Sequence, residues 1–84
     1  MQRLYMHVHN GFGTVYDEEG LEFADMDAAI RCAIANIRSI MCEEAREGCV
    51  DLRGRLDIAV AGGQVLRTIR FDEAVTVIRD DDNR

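Results

Sequence analysis

Two imidazoles and a run of carboxylates are the residues of this chain best suited to chemistry. The histidines lie in YMHVHNGFG, residues 5–13, and the acids in YDEEG, residues 16–20. In an extended chain side chains alternate, so His7 and His9 share a face with Cα atoms about 6–7 Å apart. Rings so placed can share a divalent metal, with a third ligand from Asp17, Glu18 or a neighbouring chain. The plainer assignment is the solvent side of a hairpin, beside Tyr5 and Tyr16. A protein metal site needs three or more ligands, so the hairpin face is the expectation and His7 and His9 are the metal candidates. No other cofactor is expected.

Nucleophilic chemistry has less support. Ser39 and Cys42 have no base indicated by the sequence, and no nucleophile sits in a recognisable elbow. Gly11-Phe12-Gly13 is too short for a phosphate cradle and lacks the GK[ST] that follows one. Cys32, Cys42 and Cys49 contain no CxxC pair, which leaves zinc and dithiol redox chemistry without their usual spacing. Reduced thiols in a cytoplasmic, non-enzymatic protein are the reading that follows.

The positioning elements are written in hydropathy. Leu4, Met6 and Val8 alternate with Arg3, Tyr5, His7 and His9, the period of a half-buried strand. Asn10-Gly11-Phe12-Gly13 turns the chain back through Thr14–Tyr16, which puts Val15 on the buried side and Tyr16 beside the histidines. Asp17–Gly20 is a further turn, and Leu21–Phe23 a short extended piece. Asp25 is a suitable N-cap and Gly48 a natural stop for a helix of about 22 residues, about 33 Å long. Met26, Ile30, Ala33, Ile34, Ile37, Ile40 and Met41 form its apolar stripe. Glu44 continues that stripe, which predicts an overhanging last turn. Leu56, Ile58 and Val60 begin a second hairpin, turned at Ala61–Gln64 and returning through Val65–Phe71. A helical turn is expected at Asp72–Val75, with Thr76–Ile78 ending it or forming an edge segment. The fold predicted is α+β: ββαββ, an antiparallel sheet of two hairpins with one long helix packed on one face. Residues 1–79 form one domain, and 80–84 a loose acidic tail.

The back of the helix carries Ala28, Cys32, Ala35, Ser39 and Cys42, a seam of small residues opposite the apolar stripe. Such a seam lets another helix or sheet approach closely, and Arg31, Arg38 and Glu43 flank it as a rim. The sheet's outer face, with Tyr5, His7, His9 and Tyr16, is the other candidate contact surface. With 84 residues the core is small, and self-association is a common remedy. A homodimer, or a complex with a small protein partner, is therefore expected. A net charge of −6, with all ten cations arginine, opposes nucleic acid as the main partner. No apolar run is long enough for a membrane span.

The order YMHVHNGFG, then YDEEGLEFADMDAAIRCAI, then RLDIAVAGGQVLRTIRF resembles a family of small bacterial domains of unknown function. The positions carrying the resemblance are His7, Gly11, Asp17, Glu19, Gly20, Asp25 and Ala29, within residues 3–75. It implies a ββαββ domain and no catalytic residues. A looser similarity is to the HicB-like antitoxins, which would imply a toxin partner; the DNA-binding segment usual there is missing.

Overall fold

The computed structural model describes residues 1–80. Strand β1, Gln2–Asn10, is the centre of an antiparallel sheet. One of its edges pairs with β4 (Arg55–Ala59), which in turn pairs with β5 (Val65–Arg70). Its other edge is shared by two three-residue strands, β2 (Gly13–Val15) near its end and β3 (Leu21–Phe23) near its start. The chain is therefore βββαββ with a terminal helical turn. Leu21–Phe23 belongs to the sheet, and the two hairpins of the sequence-based ββαββ are joined through β1 into one sheet of five strands.

Helix α1, Met26–Arg46, has the termini its sequence specifies. The Asp25 carboxylate accepts from the Ala28 N–H at 2.8 Å, satisfying one of the orphan donors of the first turn. The helix buries Ala29, Ala33, Ile37 and Met41, a row spaced by four, against Leu4, Leu56, Ile58, Ile69 and Phe71. Ala29 thus joins the buried row, while Ile30, Ile34 and Ile40 flank it, half-buried. Glu44 is half-buried. Its carboxylate accepts from the Asp51 N–H at 3.3 Å and ties the following loop to the helix.

The second hairpin carries a bulge: Ile58 opposes Arg67 and Ala59 opposes Val65, leaving Leu66 unpaired. Beyond it, Gly54 lets the chain pass under Phe71, where a Cβ would come within 2.8 Å of the ring. The Phe71 N–H donates to the Gly54 carbonyl at 2.8 Å. A four-residue helix, α2 (Phe71–Ala74), closes that end, with Arg38 Nε donating to the Ala74 carbonyl. Thr76–Ile78 adopts neither helix nor strand. Of the acidic segment 80–84, residues 81–84 lie outside the described residues.

Ile37 is fully buried at the middle of the helix row. Ile37→Ala is expected to cost about 3 kcal/mol through lost burial and the cavity left behind, read as a lower urea midpoint. A midpoint within error of the parent's would show that the helix does not carry the core.

Candidate functional site

The site begins with a break in the sheet. Val8 pairs with Val15, yet Leu4 pairs with Leu21, so two extra residues lie between β2 and β3 on the same edge of β1. Asp17 spans the break. One carboxylate oxygen accepts from the Met6 N–H at 3.1 Å, where a strand would have presented a carbonyl. The other accepts from the N–H groups of Glu19 and Gly20 at 3.1 and 3.0 Å. The Asp17 N–H donates to His7 Nδ1 at 3.0 Å. Gly20 is confined by position and conformation alike. Its φ is +69°, and a Cβ there would lie 2.9 Å from the Leu4 carbonyl oxygen and from the Tyr5 ring. The acidic turn of the sequence is thus a side-chain patch in the sheet.

His9 is equally committed. Its Nε2 lies 3.0 Å from the Asp57 carboxylate and its Nδ1 3.0 Å from the Thr14 hydroxyl. Asp57 is only 7% exposed, although it stands on the face that no helix covers. Thr68 donates to it at 2.7 Å, and Arg55 Nε approaches at 3.6 Å. Tyr16 stands edge-on to both imidazoles, with centroids 5.3 Å from His7 and 6.3 Å from His9. Tyr16 therefore lies beside the histidines, as the alternation predicts. Asp57 and Thr68 were not legible as members of this network, since β1–β4 and β4–β5 pairing brings them there, and Thr14 enters through the β1–β2 register. The only sequence cue was an aspartate at an alternating position of an apolar strand.

Both rings thus spend ring nitrogens on the fold. His7 Nδ1 takes a backbone proton, so its neutral form carries the proton on Nε2. Among the described residues no group of three or more His, Cys, Asp or Glu side chains is placed to hold a metal. The neighbouring arginines are matched by aspartates two residues away: Arg53 with Asp51 at 2.9 Å and Arg70 with Asp72 at 2.6 Å. Hydrogen bonds from the Arg53 side chain and backbone hold the Asp51 carboxyl down at about 2.

The other surface lies on the helix side of the sheet. Met6, Val8, Val15 and Leu21 line an open groove of about 590 Å³, rimmed by Glu18 and Glu19. Val15 is on the side the sequence predicts but is 69% exposed, and Leu21 is 59% exposed. The helix does not reach them. Of the predicted helix seam, Ala35, Ser39 and Cys42 are exposed and Ala28 and Cys32 half-buried; all three cysteines are free thiols.

Residues 3–72 match the family model described as a domain of unknown function, DUF6894. The chain belongs to that family. No curated protein and no solved structure gives a match. In this DUF6894 domain four of the seven positions that carried the resemblance have a direct physical explanation: Asp17, Gly20 and His7 close the break in the sheet, and Asp25 caps the helix.

Burial pushes the Asp17 carboxyl up, but the Gly20, Met6 and Glu19 amides and the nearby His7 outweigh it and hold the group below its ordinary value. A carboxylate with a lowered folded pKa contributes stability above its unfolded value, about 3.9, and loses it as pH falls through the lower folded value. Asp17→Ala is expected to cost about 3 kcal/mol near neutral pH, having removed a charged acceptor of three amides. Its stability should also fall less steeply between about pH 4 and 2 than the parent's, measured by urea titration at each pH. Parallel profiles would refute the role of the carboxylate.

Proposed function

We propose that this DUF6894 domain is a non-enzymatic protein-interaction module that works as a homodimer through the groove beside α1. The observation that carries the reading is a mismatch of widths. At about 4.8 Å per strand the sheet is about 19 Å across, while a helix with its side chains is about 10 Å wide. One helix covers half of that layer. On the β5 side α2 and Val75 complete the cover. On the β2 side Val15 and Leu21 are exposed and Met6 and Val8 only half-buried, and the four line one groove together with Tyr16, Asp17, Gly20 and the two glutamates.

Scattered apolar residues are normal on a protein surface, but a contiguous set along a groove is the mark of a contact site. The outer face supports the same division of labour. Its buried aspartate and both histidines are occupied in holding strands together, which favours a structural role there and leaves recognition to the groove. A second copy is the partner adopted because a chain of this size gains most from enlarging its own core.

The test is molar mass in solution by size-exclusion chromatography with light scattering. The parent protein should have twice the 9.5 kDa of one chain. Val15→Asp with Leu21→Asp should weaken dimerisation by roughly a hundredfold, about 2.7 kcal/mol, while circular dichroism stays unchanged because both sites are exposed. A monomeric parent at high micromolar concentration would overturn the homodimer. It would pass the acidic-rimmed groove to a basic partner protein, in line with the antitoxin resemblance.

A further inference from the structure

Resting on the homodimer reading, we infer that the groove of each copy is filled by the outward face of α1 from the other, giving two sheets that enclose a middle layer of two helices. The open strip of the helix layer runs along β2 and β3, where Val15 and Leu21 are exposed, and a second helix laid there continues the layer past the sheet edge. Among the described residues one helix, α1, has sufficient length, and its two faces suit two sheets. Ala33 and Ile37 are sealed against its own sheet, while Ala35, Ser39 and Cys42 look the opposite way and are exposed. Small side chains there let the helix lie close on a second sheet, and a serine hydroxyl buried by the contact can turn back to a carbonyl of its own helix.

Charge selects the same pairing. The groove rim presents Glu18 and Glu19. Arg31 flanks the outward face of α1 and enters no ion pair among the described residues. Seating the helix in the partner's groove brings a cation towards two carboxylates, which fixes register and orientation more than it adds affinity. Two-fold symmetry then uses each surface once per copy: the donor of a helix is also the owner of a groove. The assembly is closed, and no groove is left to propagate a chain of copies. Asn36 Nδ2 lies 3.5 Å from Sδ of the groove residue Met6, so in this arrangement the two helices of the middle layer meet along the Cys32–Asn36 flank.

The test measures dimer dissociation constants on the full chain. Ala35→Glu should weaken the dimer at least about tenfold, and Ala35→Ser should leave it within about twofold. Arg31→Glu should weaken it by about fivefold, and adding Glu18→Arg with Glu19→Arg to that variant should restore most of the loss. A dimer that tolerates Ala35→Glu but is broken by Val15→Asp with Leu21→Asp would overturn this arrangement while leaving the groove as the contact. A dimer indifferent to both would overturn the arrangement and the groove together and point to pairing through a strand edge such as β5. A parent that is monomeric removes the homodimer itself.

Discussion

The rest of the structure depends on the Asp17 carboxylate standing in for a length of backbone. A strand that leaves its partner for two residues abandons amide donors, and a buried donor without an acceptor costs about 1–3 kcal/mol. Asp17 supplies the acceptor to Met6 from outside the strand and takes the two amides of its own turn with the other oxygen. With the break closed, β2 and β3 both lie on one edge of β1. That geometry has two consequences on opposite faces. Tyr16 is delivered to the histidines on the outer face, and Val15 and Leu21 are delivered to the helix side where no helix waits.

The outer face shows how an uncovered sheet surface can still hold a nearly buried charge. Asp57 is shielded by its own cross-strand neighbours, and each of its oxygens has a hydrogen-bonding partner. Among the described residues no buried side-chain nitrogen or oxygen lacks a partner. A satisfied network of this kind specifies strand register, since a one-residue slip would send Asp57 to the apolar side. His9, bonded to β2 through Thr14 and to β4 through Asp57, joins three strands. His7 joins the central strand to the Asp17 turn. The histidine pair that first suggested chemistry is better explained as two fastenings.

The opposite face has a different economy. Alanines at 29 and 33 bring the helix close to the sheet but contribute little volume, and the larger core residues are few: Phe71, Leu4, Ile37, Leu56 and Ile58 are the largest that are fully buried. A core so modest gives a small chain little reserve.

What the sequence determined by itself is whatever depends on near neighbours along the chain. The alternation of residues 3–9, the cap at Asp25, the four-residue spacing of the helix row and the Gly-rich second turn follow from periods of two and 3.6 and from local backbone preferences. The two faces of β1 and the place of Tyr16 were legible for the same reason. Tertiary structure decided the rest. Leu21–Phe23 is a strand because β1 offers a free edge at Gln2–Leu4, and three residues carry no pattern long enough to declare it. Asp17 and Gly20 read in the sequence only as a turn because their partners, Met6 and Leu4, are more than ten residues away. Asp57 joined the histidines only through pairing with β1. Val15 was assigned its side correctly and its burial wrongly: alternation fixes which way a side chain points, whereas cover depends on the width of the sheet and on how many helices are there to span it.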